Sequence, residues 1–227
     1  MAEEIENKEL GIIEISKLKN ATGLMKNNTY LTEVDCPFPE LVTANEMFYN
    51  CTALTSFTTS KDGVGSMVDL PKVTNASSFL EGTGISTIKV NTPFLTNARN
   101  MFRGCSSLST FEVHDENSLK SVTDAYGFLA GTIISTVTLN MPNATNATEI
   151  FKGCGRLSTV NVSMANLTAQ SSNYIELEFP DNVNHIKAYL PKVKRFKLPK
   201  DLVRLTESTL SSVTNGDELL GNNPNQI

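Results

Sequence analysis

Apolar residues recur along this chain in a fixed order, and that order predicts its elements. Alanines at 21, 44, 76, 98, 125 and 147 are each followed, three and four residues on, by an apolar pair. The pairs are Leu24–Met25, Met47–Phe48, Phe79–Leu80, Met101–Phe102, Phe128–Leu129 and Ile150–Phe151. Residues three and four apart share one helix face, so each pair is expected to point inward from a short helical turn. A second signature follows, apolar-x-x-apolar-x-apolar. It reads Leu31-Val34-Cys36, Leu54-Phe57-Thr59, Ile85-Ile88-Val90, Leu108-Phe111-Val113, Ile134-Val137-Leu139 and Leu157-Val160-Val162. Its last three positions alternate as a strand with one buried face does. Thr59 is the one polar member of the set.

Five of the alanines are preceded by Asn or Asp, at 20, 75, 97, 124 and 146, and Ala44 follows Thr43. Such side chains cap the free N–H groups at a helix start. Each copy therefore reads as cap, one or two helical turns, turn and strand. One such turn is unstable in isolation. It survives only when neighbouring copies bury it, so self-similarity at this period predicts a stacked array. The fold class expected is a repeat solenoid, mainly β with short helical turns.

The copies alternate. Cys51, Cys105 and Cys154 fill one slot in every second copy, and Thr83 and Thr132 fill it in those between. Strands stack about 4.8 Å apart, so cysteines two copies apart sit too far apart for a disulfide. They read as small buried residues rather than as nucleophiles, which need a positioned base. The only histidines, His114 and His185, fall in a loop and a later strand. Longer connections follow the cysteine copies, at 60–72, 114–121 and 163–173. They leave equivalent strand ends, so they line one edge of the array, often the binding side of a repeat protein. The edge candidates are Lys61, Asp62, Met67, His114, Asp115, Glu116, Asn166 and Gln170.

Beyond 173 the strand signature continues at nine- to ten-residue spacing, as Tyr174-Leu177-Phe179, Val183-Ile186-Ala188 and Val193-Phe196-Leu198. This predicts narrower, strand-only terminal coils, or a small terminal sheet, capping the array. The domain reading is an N-terminal cap at 1–17, a solenoid of about six coils at 18–173, strand-only coils at 174–200, and a weakly helical or mobile tail at 201–227. The segment "GIIEISKL" reads as a capping strand. Lysines and arginines crowd the terminal coils, and Lys192, Lys194, Arg195 and Lys197 form a candidate basic patch. The opposing reading is a solvated strand edge protected by lysine.

Composition narrows the chemistry. The 227 residues carry a net charge of −5, no tryptophan and 40% apolar residues, so no general nucleic-acid affinity is implied. No apolar run is long enough to span a membrane. The acidic start lacks the features of a secretory signal. No nucleophile–base pair, carboxylate dyad, metal-ligand cluster or cofactor motif is visible, so an enzyme is not expected, and neither is a cofactor or metal.

The motif A-x-x-M-F-x-x-C-x-x-L-x-x-F at 44–57 and 98–111, with its variant at 147–160, resembles the BspA-type leucine-rich repeat. The likeness covers about 18–162 and continues in degenerate form to about 198. It implies a curved solenoid with a binding or adhesion role, of the kind found at microbial surfaces and in bacteriophage tail and fibre proteins. The expected setting is a virion component assembled in the host cytoplasm, the alternatives being a bacterial surface adhesin fragment or an intracellular scaffold. The expected partners are a protein or glycan on a host surface, or neighbouring virion proteins, with self-association as a further option.

Overall fold

The computed structural model describes residues 15–59, 67–168, 177–193 and 196–206. It is a β-solenoid with a leucine-rich-repeat-like winding. Its strands are β1 (Glu33–Asp35), β2 (Ser56–Thr58), β3 (Met67–Asp69), β4 (Thr87–Asn91), β5 (Thr110–Val113) and β6 (Thr136–Asn140). They continue as β7 (Thr159–Ser163), β8 (Leu177–Glu178), β9 (His185–Tyr189), β10 (Phe196–Lys197) and β11 (Arg204–Leu205). All pairings are parallel, in the sheets β1–β2, β3–β4–β5, β6–β7–β9–β11 and β8–β10. Equivalent apolar positions face one another across coils: Val34 with Phe57, Ile88 with Phe111, and Val137 with Val160 and then Ile186.

The residues before the alanines form a second ladder. Asn20, Thr43, Asn75, Asn97, Asp124 and Asn146 are joined by successive parallel bridges. The Asn and Asp side chains cap the residue two positions on. Asn97 Oδ1 accepts from Arg99 N at 3.1 Å, and Asp124 Oδ1 from Tyr126 N at 3.0 Å.

No helix follows these caps, contrary to the sequence expectation. The segment is a ribbon of tight turns whose amides alternate in direction. The N–H groups of Ala98, Asn100, Phe102 and Gly104 donate to carbonyls of the next coil, at 2.9, 2.7, 3.0 and 2.8 Å. The intervening N–H groups of Met101, Arg103 and Cys105 donate three residues back, at 3.1, 3.1 and 3.2 Å. An α-helix would spend these amides internally and leave the coils joined by side chains alone. The ribbon needs a left-handed residue at every fourth position, such as Asn100 (φ 53°) and Gly104 (φ 69°). A residue with a Cβ pays about 1–2 kcal/mol for that conformation, and the bonds to the next coil offset the cost.

The apolar pair still points inward. Phe48, Phe57 and Phe79 form a triangle with ring centroids 5.2–5.5 Å apart, all edge-on. Phe102, Phe111 and Phe128 repeat it two coils later at 5.4–5.6 Å. Edge-to-face packing suits the ring quadrupoles. The two-coil alternation read from the sequence thus reappears as the packing unit of the core. The first coil departs from it. Leu24 and Met25 are 43% and 39% exposed, because no described coil precedes them.

Four further expectations are corrected. Residues 15–17 form a short 3-10 turn rather than a strand, while 11–14 lie outside the described residues. Met67 opens β3 instead of lying in a loop, and β3 pairs with the end of β4. Buried Thr59 explains that step, since its hydroxyl accepts from Asp69 N at 2.6 Å and fastens β3 to the end of β2. The nine- to ten-residue terminal repeat is half a coil. β8 and β10 lie on one face and β9 and β11 on another, because Phe179 stacks on Phe151 at 6.4 Å while β9 pairs with β7. Residues 204–205 are a strand on β9, not helix, since an open parallel edge offers their amides partners. The helical expectation for 207–214 falls outside the described residues.

Side chains also tie the ribbons together. Glu149 holds Lys152 at 2.7 Å and Arg103 at 3.1 Å, and Arg99 lies 3.9 Å from the centre of the Tyr126 ring. Arg103 therefore bridges two coils, though exposed ion pairs of this kind contribute only about 0–1 kcal/mol. Lys152, followed by Tyr126 and Arg103, holds the Glu149 carboxyl down from 4.5 to about 2.

Phe102→Ala is expected to destabilise the fold by about 3–5 kcal/mol in urea unfolding, and Arg103→Ala by less than about 1. Equal losses would show the inward register to be wrong. Gly127 has φ 61°, and an added Cβ would clash with Asn100 Oδ1, whereas Gly23 (φ 64°) faces open space. Gly127→Ala should therefore cost clearly more than Gly23→Ala, and adding Asn100→Gly should recover the difference. The Glu149 pairing stabilises fully above the ordinary carboxylate value and is lost as pH falls through the folded one. The gap in melting temperature between wild type and Glu149→Gln should be constant from pH 7 to about 5 and close as pH falls toward 2. A gap unchanged at pH 2 would assign the stabilisation elsewhere.

Candidate functional site

Strand alternation gives the solenoid a polar outer face. On β6, Thr136, Thr138 and Asn140 are exposed between buried Val137 and Leu139. Pairing registers place Thr159, Asn161 and Ser163 of β7 beside them, then His185, Lys187 and Tyr189 of β9. Arg204 of β11 lies beside His185. Adjacent strands sit about 4.8 Å apart, so these side chains form regular columns. Charge is uneven along the face. Glu33 and Asp35 on β1, Asp69 on β3 and Glu112 on β5 mark its first half, with Lys89 among them. No carboxylate occurs on β6, β7, β9 or β11, where His185, Lys187 and Arg204 gather.

Side chains also link the connections that leave the strand ends. Asn143 Nδ2 donates to Lys120 O at 2.9 Å, Asn166 Nδ2 to Asn143 Oδ1 at 3.3 Å, and Lys192 Nζ to Asn166 Oδ1 at 2.6 Å. This ladder joins Asn166 of the edge set to Lys192 of the basic set. His114, Asp115 and Glu116 are exposed on the same side. Asp115 closes its own turn, accepting from Asn117 N at 2.8 Å and Ser118 Oγ at 3.1 Å, and the first contact lowers its carboxyl pKa. Lys61, Asp62, Gln170, Lys194 and Arg195 lie outside the described residues.

Among the described basic residues, Lys192 belongs to this ladder and others pair with carboxylates of the terminal coils. Lys197 reaches Glu178 at 2.6 Å across β10 and β8, and Lys200 lies 3.9 Å from Asp181. Lys187 and Arg204 belong instead to the outer sheet face. That face is the surface the sequence reading passed over. The signal was present at the polar positions alternating with the strand signature, which a search for core residues skips.

The thiols are structural. Cys51, Cys105 and Cys154 donate to Met25 O, Leu80 O and Leu129 O of the preceding coil at 3.0, 3.1 and 3.2 Å. Thr83 and Thr132 fill the slot between them, with Thr83 Oγ1 3.4 Å from Cys105 Sγ. Burial pushes the Cys105 thiol up to about 11 and raises the other three. A thiol in that range supplies little nucleophilic thiolate. Among the described residues, no group of three or more His, Cys, Asp or Glu is placed to hold a metal, and no helix is long and apolar enough to cross a membrane.

No family model matches the chain, and no curated protein matches it. Among solved structures it is similar to a leucine rich cell surface protein from Faecalibacterium prausnitzii A2-165, at 14% identity and a TM-score of 0.40. That likeness covers 84% of this chain and 65% of the other, so the chain spans less than two thirds of that protein.

Proposed function

We propose that this solenoid is a non-enzymatic binding module that recognises a macromolecule through the outer face of its β6–β7–β9–β11 sheet. The observation that carries the reading is the chemistry of that face. The four strands pair in register, so their backbone groups are largely engaged, and only side chains remain to make contacts. Those side chains are mostly hydroxyls and amides on a rigid frame, a combination that suits recognition with little loss of conformational entropy. Buried, protonated thiols argue against covalent catalysis on the cysteines. The repeat resemblance puts such a module in adhesion at a microbial surface. A virion setting is the other one that the repeat resemblance implies.

The test is binding of labelled protein to arrays of glycans and surface proteins, with Thr136→Tyr/Thr138→Tyr as the blocked variant. Both positions are exposed, so the melting temperature should hold while bound signal drops about ten-fold or more. Undiminished binding by the blocked variant would remove this face from the recognition surface.

A further inference from the structure

The ribbon and the core run unbroken along the middle of the solenoid, but the outer sheet does not. Strand pairing follows the two-coil unit: β1 with β2, β4 with β5, and β6 with β7. β5 and β6 lie on successive coils, yet they belong to separate sheets. Where strands pair, two successive amides at the strand entry share one carbonyl of the preceding coil. Ser109 N and Thr110 N donate to Ser86 O at 2.9 and 3.2 Å, and Ser158 N and Thr159 N to Ser135 O at 2.8 and 3.2 Å. Ahead of β6 a single bond, Ile133 N to Leu108 O at 3.0 Å, takes their place. Repeat length supplies a reason. Ile134 follows Ala125 by nine positions, whereas Leu108 follows Ala98 by ten. Ring size supplies another. Phe111 of β5 packs edge-on against Phe128 of the next coil at 5.6 Å. In the same slot of β7 the smaller Val160 pairs with Ile186 of β9. Phe57 repeats the first case, packing on Phe79 of the next coil at 5.5 Å, and β2 shares a sheet with β1 alone.

We infer that the junction between β5 and β6 is a hinge, at which the sheet side of the solenoid opens and closes about the ribbon. The two sides of this junction are held unequally. On the ribbon side, Ala98, Asn100, Phe102 and Gly104 donate to Asp124, Tyr126, Phe128 and Ala130, and the Asn97–Asp124 bridge lies beside them. On the sheet side the strands have no ladder between them, and the rings of Phe102, Phe111 and Phe128 hold the coils by packing. Asn140 Nδ2 reaches Glu116 O at 3.5 Å, the far limit of a hydrogen bond. A small rotation about the ribbon therefore breaks no strand ladder. The connection at 114–121 leaves β5 at this point and has the length to follow such a rotation. The sheet β3–β4–β5 and the sheet β6–β7–β9–β11 then move as two plates on one spine, which is hinge motion at an element boundary. The hinge follows from strand pairing and stands whether or not the outer face binds a ligand.

Two measurements on the whole chain test this. Alternate strand amides aim at the preceding coil, as Thr110 N to Ser86 O and His114 N to Val90 O at 2.8 Å show, so those of Thr138 and Asn140 aim at β5. They should exchange with solvent about ten-fold or more faster than the matching amides of Asn161 and Ser163, which aim at paired β6. Spin-label distances read the motion itself. Labels at Thr87→Cys/Thr159→Cys span the junction on the sheet side, and labels at Glu81→Cys/Lys152→Cys span the same coils on the ribbon side. Cys36→Ser removes the one native thiol that is not buried. The sheet-side distance distribution should be about 1.5-fold or more broader than the ribbon-side one. Phe111→Val, which copies Val160, should narrow it toward the ribbon value. Equal exchange on β6 and β7, or equal widths on the two sides, would overturn the hinge. An unchanged width in folded Phe111→Val would overturn the part given to that ring. Should that variant fail to fold, the wild-type comparison decides alone.

Discussion

The structure depends on amides being divided between a coil and its neighbour. In the five ribbons that begin at Ala21, Ala44, Ala76, Ala98 and Ala125, alternate N–H groups close a turn within their own coil and cross to the next. Neither half suffices. The internal bonds span only three residues and could not hold a turn in water, as an isolated helical turn cannot. The crossing bonds need the next coil already in place. Folding of one rung therefore presupposes the next, and stability resides in interfaces between rungs. The strands and the bridge ladder from Asn20 to Asn146 impose the same rule on the other sides of the coil.

That rule accounts for the chemistry of the interior. Once backbone groups are paired along the axis, the space they enclose is filled by repeating apolar side chains, and the phenylalanine triangles set its two-coil period. The cysteine and threonine column sits beside them. Each thiol or hydroxyl finds a carbonyl at hydrogen-bond distance, so a weakly polar group is buried without a stranded donor. A slot that looks reactive in sequence is thus a small packing position, and burial keeps its protons on the sulfur.

The same rule leaves the outer face free for other work. Outward side chains bear little of the winding, so their identity can drift from acidic on β1 to basic on β9 and β11 without cost to the frame. The edge ladder from Lys120 through Asn143 and Asn166 to Lys192 shows the limit of that freedom, because residues that looked available for a ligand are occupied in holding coils together.

The sequence by itself determined the solenoid, the inward register of Phe48, Phe102 and Phe151, the strands, the caps and the two-coil alternation. Each follows from local spacing, and local spacing is what a repeat conserves along its own length. It also carried an unread clue to the ribbon: Asn27, Asn50, Gly82, Gly104, Gly131 and Gly153 all occupy the slot six after the alanine, and all have positive φ. Tertiary structure decided the rest. A helical turn and a turn ribbon place apolar residues alike, and only the carbonyls of the next coil select the ribbon. The spacing of 174–198 fits a whole narrow coil or half a wide one, and the stacking of Phe179 on Phe151 chooses the half. Register across strands sets which outward residues are neighbours, because His185 and Arg204 are separated in the chain and adjacent only through pairing.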